Sequence, residues 1–210
     1  MMRILIVDDH IVVRDGVKRI FDEQPYEVVF GEASTHQEAL KLAREESWDA
    51  VVLDISLGGR NGLEVLKDLK QIHPKLPVLI LSMHSEEQYA RRAFRAGAAG
   101  YITKDSPRAE LVKAISKVIE GGRYISPSLA EKLLFDIERG TDRPLHEDLS
   151  NREFEVMRLI ASGKSVGEIA DMLSLSDKTI STYRARILEK MRMKSSAELI
   201  HYAIKNKLVD

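Results

Sequence analysis

Five short runs rich in Ile, Val and Leu punctuate the first half of the chain, and they constrain its fold more than any other feature. They are "RILIV" (3–7), "EVVF" (27–30), "AVVL" (50–53), "VLIL" (78–81) and "GYIT" (100–103). Four of them are apolar almost without interruption, as expected of strands covered on both faces. Between them lie patterns of helical period, with Val13, Val17, Ile20 and Phe21 on one face of the first. Pro74 and Pro77 bracket the turn before the fourth run. Five such repeats predict an α/β fold, a five-stranded doubly wound parallel sheet with helices on both sides.

After Gly121-Gly122 the rhythm changes. "SPSLAEKLLFDIERG" (126–140) reads as one helix, with Pro127 in its first turn and Gly140 as its stop. "GTDRPLHED" (140–148) is polar and reads as a flexible tether. From Leu149 onward every pattern is helical. Three Ser/Glu pairs at a spacing of three, Ser150/Glu153, Ser165/Glu168 and Ser195/Glu198, can each satisfy amide groups at a helix start. The expected organisation is therefore an α/β domain over 1–122, a linker helix and tether over 123–147, and a small all-α domain over 148–210.

The chain has no cysteine, which excludes disulfides and thiolate metal sites and fits a reducing cytosol. No apolar run approaches the roughly 18 residues of a membrane span, and no secretory leader is evident, so a cytoplasmic protein without membrane contact is expected. A formal net charge of -1 argues against capture of the whole molecule by a polyanion. That average hides a basic patch.

In a parallel α/β sheet, ligands sit beyond the carboxyl ends of the strands, where the strand order reverses. The residues following each run are then candidate site residues: Asp8 and Asp9, Asp54, Ser82 and Lys104. Helix capping accounts for a single Asp at such a place. It explains neither Lys104 nor Ser82. Clustered carboxylates are tolerable beside a hard divalent cation, and Mg²⁺ takes a few carboxylate oxygens with water or phosphate in the remaining positions. An ammonium and a hydroxyl beside them suit the oxygens of a phosphoryl group in transfer. The chemistry that fits is attack by one carboxylate on a phosphoryl donor, giving an acyl phosphate.

With these residues in this order, 1–122 resembles a CheY-like receiver domain of a two-component response regulator, a flavodoxin-like fold. The resemblance implies that Asp54, in "VVLDISLGGRNG", accepts phosphate from a histidine kinase. It implies that Asp8, Asp9 and Asp54 bind Mg²⁺ with the backbone carbonyl of Ser56. It makes Ser82 the switch hydroxyl, Lys104 the phosphate-pairing lysine, and Tyr101 an aromatic that swings inward, although Tyr101 reads equally as a half-buried core tyrosine at a strand. Ser56 and His84 stand where the family tunes hydrolysis of the acyl phosphate, although His84 reads equally as a solvated loop residue. Gly58-Gly59 replaces the Pro usual in the loop after the acceptor, which points to a more mobile loop, and Asp105 follows Lys104 where many members have Pro.

The stretch "SVGEIADMLSLSDKTISTYRARILEKMRMK" (165–194) carries a second function. A short helix with Ile169, Ala170, Met172 and Leu173 inward is followed by a turn and a longer helix starting near Ser176 or Asp177. From Lys178 to Lys194 there are six cationic side chains against a single acid, Glu189. A solvated amphipathic helix would also be basic, and Ile180, Ile187, Leu188 and Met191 supply its buried stripe. The turn and the small polar residues Thr179, Ser181 and Thr182 at the helix start favour a helix-turn-helix that places its second helix in the major groove.

Residues 148–210 resemble the LuxR-type helix-turn-helix of the NarL/FixJ response regulators, through "LSNREFEVMRLIASGKSVGEIADMLSLSDKTISTY" and "ILEKM". "KTISTYRARILEKM" and "AELIHYAIKNKL" look closest to the GacA/UvrY branch. Carried over by position, Ser181, Thr182 and Ala185 face base edges, while Lys178, Thr179, Tyr183 and Arg184 lie near the phosphate backbone. The resemblance implies a homodimer on an inverted repeat of double-stranded DNA, with the last helix (Leu199, Ile200, Ala203 and Ile204) contributing dimer contacts or packing within the domain. The expectation is a regulator with no enzymatic activity beyond taking up its own phosphoryl group and losing it to water. A Mg²⁺-dependent phosphohydrolase and a receiver with a protein-docking helical output are the alternatives.

Overall fold

The computed structural model describes residues 1–57, 60–131 and 144–209, and the chain divides into two compact units, Met1–Leu134 and Phe135–Asp210. In the first unit the order is β1 (Met2–Val7), α1 (Ile11–Asp22), β2 (Val28–Ala33), α2 (His36–Glu45), β3 (Ala50–Leu53), β4 (Ser56–Leu57) and β5 (Arg60–Asn61). Then come α3 (Gly62–Ile72), β6 (Val78–Ser82), α4 (Glu86–Arg95), β7 (Gly100–Thr103) and α5 (Arg108–Ile119). Five strands form one parallel sheet in the order β2-β1-β3-β6-β7. The connections from β1 and β3 leave toward opposite sides, so the reversal of strand order falls between them.

Alternation along the strands divides the core in two. Ile4, Ile6, Val52, Leu79, Leu81 and Ile102 meet Val17 and Phe21 of α1 and Leu111, Ile115 and Val118 of α5. Leu5, Val7, Val51, Leu53 and Ile80 point to the other face and are fully enclosed. There α2 reaches the sheet through Ala39 and Ala43, and α3 through Leu63, Leu66 and Leu69.

Two local features depart from expectation. β2 runs on to Ala33 because it pairs with β1 along its whole length, Met2↔Val28 through Val7↔Ala33. As an edge strand it stays half exposed and tolerates Gly31 and Glu32, which break the apolar pattern. The loop after Asp54 folds into the two-stranded β4–β5 hairpin, Ser56 opposite Asn61. Gly58 and Gly59, read as a mobile loop, lie outside the described residues.

Residues 127–131 are helical, starting at Pro127 after Ser126, whose hydroxyl accepts from the Leu129 amide at 3.2 Å. The rest of the expected linker helix, and the tether over 140–143, lie outside the described residues. The end of that tether is not irregular. Leu145–Asp148 form a 3-10 helix in which the His146 ring, at Nδ1, is 2.9 Å from the Tyr202 hydroxyl.

The second unit continues with α6 (Asn151–Ala161), α7 (Val166–Leu173), α8 (Asp177–Lys190) and α9 (Ser196–Lys205). Its core is Phe154, Val156 and Met157 with Ile169, Ile180, Ile187, Met191, Leu199 and Ala203. Ser150/Glu153 and Ser165/Glu168 form reciprocal capping boxes. At the third pair Ser195 accepts from the Glu198 amide, but the Glu198 carboxylate accepts from Lys194 N at 3.1 Å instead of closing the box. One inward assignment is corrected: Met172 is 54% exposed. The buried stripe of α7 centres on Ile169, Ala170 and Leu173, and Met172 falls about a quarter-turn away at 3.6 residues per turn. Among the described residues, no helix is long and apolar enough to cross a membrane.

Candidate functional site

Parallel pairing sets the first site. The ladder continues one residue past each strand: Asp8 N donates to Ala33 O at 3.1 Å, Asp54 N to Val7 O at 2.9 Å, and Lys104 N to Ser82 O at 2.8 Å. The backbones of Asp8, Asp54 and Lys104 are thereby fixed by the sheet along its carboxyl edge, with Ser82 on the strand between the last two. Ser82 is itself the last residue of β6 and is fully buried.

The side chains converge as well. Lys104 Nζ donates to Asp54 Oδ2 at 2.7 Å. It also lies 2.6 Å from Asp8 Oδ2, an ion pair outside hydrogen-bond geometry, so that buried oxygen accepts no hydrogen bond. Asp54 Oδ1 accepts from the Ser56 amide at 3.2 Å, and Asp8 Oδ1 from the His10 amide at 2.8 Å. Asp9 is more open and meets His10 Nδ1 at 2.8 Å. Ligand atoms of Asp8, Asp9, His10 and Asp54 all lie within 4.8 Å of one another.

Charge makes this pocket costly without a cation. Burial pushes the Asp54 carboxyl above the ordinary carboxylate range; Lys104 pulls it back, and the neighbouring Asp8 charge adds to the rise. Burial also works against the Lys104 charge, but the hydrogen bond to Asp54 and the ion pair with Asp8 outweigh it and hold the lysine above its usual range. The two shifts differ in cause: burial raises Asp54, whereas the two carboxylates raise Lys104 against burial. An acidic pocket with a buried carboxylate oxygen left over is compatible with a divalent metal site.

Tyr101 lies inside the fold, with none of its surface exposed, which removes the half-buried reading. Its hydroxyl donates to His84 O at 2.8 Å and meets the Ser82 hydroxyl, while Ser82 Oγ accepts from His84 N at 3.1 Å. His84 lies in the loop after β6 and is half-buried, with partners on both sides. Its ring stacks on Tyr89 with centroids 4.7 Å apart, and its Nε2 is 3.3 Å from Ser56 Oγ. His84 thus joins the loop after β6, the Tyr101 hydroxyl and the rim beside Asp54.

One contributor escaped the sequence reading. Arg14 donates to the Asp8 carbonyl at 2.7 Å and to Glu32 at 2.8 Å, and Lys18 Nζ also reaches Glu32 at 2.7 Å. This holds the backbone of an acidic pocket residue from α1. A basic residue one turn into a helix is ordinary, and its contact with the pocket is to main chain, so no pattern announces it.

The second site is α8. Lys178, Ser181, Thr182, Arg184 and Ala185 are exposed, and Thr179 and Tyr183 are half-buried. Ser176 caps the helix by accepting from the Thr179 amide. Not every cation counted in the sequence faces outward without a partner: Lys190 Nζ pairs with the buried Glu153 at 2.6 Å. Burial pushes Glu153 up, yet hydrogen bonds from Lys190 and Ser150 together outweigh it and keep the carboxyl below its ordinary range.

This pair gives a pH-dependent expectation. Gln at 153 still accepts from the Ser150 amide but carries no charge, so Glu153→Gln costs about 1 kcal/mol at neutral pH, discounted because Lys190 is partly in water. A depressed folded-state pKa gives stability that is present above the unfolded value, about 4.3, and is lost as pH falls through the folded value. Urea unfolding of both proteins across pH 7 to 3 is expected to show the gap closing at the acid end. A constant gap would mean that the ion pair contributes nothing.

With the geometry in place, comparison with known proteins adds its own finding. Residues 4–116 match the family described as response regulator receiver domain, and residues 147–203 match the bacterial regulatory proteins of the luxR family. The chain is 39% identical over 211 residues to the response regulator GacA of Pseudomonas viridiflava, covering all of this chain and 99% of that one. It is 36% identical over 209 residues to the response regulator UvrY of Escherichia coli strain K12, covering 99% and 96%. Among solved structures it resembles RcsB of Salmonella enterica serovar Typhimurium bound to a promoter in the presence of a phosphomimetic, BeF3-. That match has 26% identity and a TM-score of 0.60, over 96% of this chain and 97% of that one.

Proposed function

Because this chain belongs to the two-component response regulators that join a receiver domain to a LuxR-type DNA-binding domain, we propose that Asp54 is its phosphoacceptor and that phosphate there controls sequence-specific DNA binding. The observation that carries this is Lys104, held between the buried Asp54 and Asp8 at the carboxyl edge of the sheet. The receiver is assigned to 1–122, the linker to 123–147 and the DNA-binding domain to 148–210. Its relatives are regulators, and the chemistry assigned to this chain stops at its own phosphorylation and the hydrolysis of the product.

Asp8, Asp9 and Asp54, with the backbone carbonyl of Ser56, fit Mg²⁺, which when bound neutralises the clustered carboxylates and the oxygens of a phosphoryl group. One Asp54 oxygen attacks phosphorus of a phosphohistidine on the partner kinase. The P–O bond forms as the P–N bond breaks, and the leaving imidazole nitrogen takes up a proton from water. The Lys104 ammonium, already 2.7 Å from the acceptor, transfers its hydrogen bond to the new phosphoryl oxygens. Ser82 turns its hydroxyl to the same oxygens. That move alters the contacts among Ser82, His84 and Tyr101, and so repacks α4, β7 and α5.

The output is a homodimer of helical domains on an inverted repeat of double-stranded DNA. Ser181, Thr182 and Ala185 face the bases, and Lys178, Thr179, Tyr183 and Arg184 lie along the phosphates. A cytoplasmic location follows from the kinase and DNA partners. The test is fluorescence anisotropy of a duplex selected by the protein from random sequence. Binding is expected to tighten at least tenfold on adding Mg²⁺ with beryllofluoride, and to fall linearly on a log scale with salt. No retained duplex in either state would put the helical domain to another use, such as protein docking.

A further inference from the structure

The outward face of α8 carries methyl groups where base edges are read. Lys178, Thr182, Ala185 and Glu189 recur at i, i+4, i+7 and i+11, opposite the buried Ile180, Ile187 and Met191, and all four are exposed. Between the two charged ends of that strip stand only Thr182 and Ala185. The Thr182 hydroxyl donates to Lys178 O at 2.9 Å, so its proton is committed within the helix and Cγ2 is left as the group without a polar tie. Ser181 and Arg186, both exposed, flank the strip on its two sides.

The bases that suit such a strip follow from their major-groove edges. Guanine presents two acceptors, N7 and O6, and is read by a long donor, Arg or Lys. Positions 181, 182 and 185 hold none. Thymine presents a C5 methyl, which Ala and the Thr methyl contact directly. We propose that Thr182 and Ala185 are specificity-determining residues that read thymine methyl groups, so that the centre of each operator half-site is specified by thymine. This rests on the reading that α8 enters the major groove.

The test uses the full-length protein with Mg²⁺ and beryllofluoride. Duplexes are selected from random sequence, and the affinity of the enriched site is compared with copies in which single thymines of the half-site become deoxyuridine. That change removes one methyl and leaves every hydrogen-bonding group in place. A loss of about fourfold is expected at the contacted thymines, the worth of one buried methylene at about 0.8 kcal/mol. Thr182→Ser keeps the bond to Lys178 but lacks the methyl. It is expected to lose about fourfold on the thymine site and nothing further on the deoxyuridine site, a double-mutant cycle that isolates the methyl pair. Ser181→Lys is expected to shift selection toward guanine. Enriched half-sites built on guanine, or deoxyuridine copies that bind as well as the parent, would overturn the assignment of Thr182 and Ala185 while leaving DNA binding intact. Failure to enrich any duplex overturns the placement of α8 in the groove itself.

Discussion

Asp54→Asn protein is expected to gain no phosphoryl group from acetyl phosphate and Mg²⁺, whereas the wild-type chain is expected to gain one. Asn has the shape of Asp, but its amide cannot attack phosphorus to give an acyl phosphate. The loss is not one of folding. Burial holds the Asp54 carboxyl above its ordinary range, so ionising it opposes the folded state, and stability falls as pH rises from the unfolded pKa through the folded one. At neutral pH the neutral amide removes that opposition, and the variant is expected to melt no lower than wild type when Mg²⁺ is absent. Adding Mg²⁺ is expected to raise the wild-type midpoint and to move the variant's far less, since ligand binding stabilises only what it binds. Intact mass and thermal melts of both proteins check the two halves together. Equal mass gain would place the acceptor elsewhere, and the switch through Ser82 and Tyr101 would lose its origin.

How much of this pocket could be read in advance follows from what holds it. Asp8, Asp9, Asp54, Ser82 and Lys104 each end or follow an apolar run, and parallel strands bring such ends together whatever the loops do. The edge strand was harder: Gly31 and Glu32 interrupt its apolar pattern, and only the ladder with β1 reveals that it continues to Ala33. Arg14 was invisible because it holds the pocket through a main-chain carbonyl, and the carboxylate it pairs with, Glu32, lies 18 positions away where no local rule joins them. The same holds for His84, whose carbonyl and amide make two of its contacts. In the second unit, capping pairs marked the helix starts, but Glu153 and Lys190 lie 37 positions apart and no local rule joins them. Counting Lys190 as part of an open basic face therefore overstated that face. Met172 shows the limit of periodicity in a helix of eight residues, where the stripe is too short to fix its own centre.

Gly62→Ala is expected to damage the fold and the acceptor together, through a contact no sequence pattern marks. Gly62 opens α3 immediately after Asn61, whose side chain caps the helix by accepting from the Leu63 amide at 3.0 Å. Its own amide donates to Ile55 O at 2.6 Å, which draws the start of α3 against the segment carrying Asp54. A Cβ on residue 62 would stand 2.1 Å from the Asp54 carbonyl oxygen and 2.8 Å from Ile55 Cα. Both are backbone atoms between the core and the pocket, so neither can swing aside as a side-chain tip would. Either α3 moves off its cap or the Asp54 backbone moves off β1. Overpacking of this kind costs about 3 kcal/mol, equivalent to a fall in melting temperature of about 10 °C for a domain of this size. Displacement of a reacting group by about 1 Å can cost about a hundredfold in rate, so phosphorylation by acetyl phosphate is expected to slow far more than stability alone would require. Gly16→Ala is the control: it lies on the exposed side of α1 with nothing within 4 Å of its added Cβ. Removing a helical glycine there is expected to stabilise by about 0.5–1 kcal/mol and leave the phosphorylation rate unchanged. Should Gly62→Ala melt and phosphorylate like wild type, the close approach of α3 to Asp54 is not what positions the acceptor.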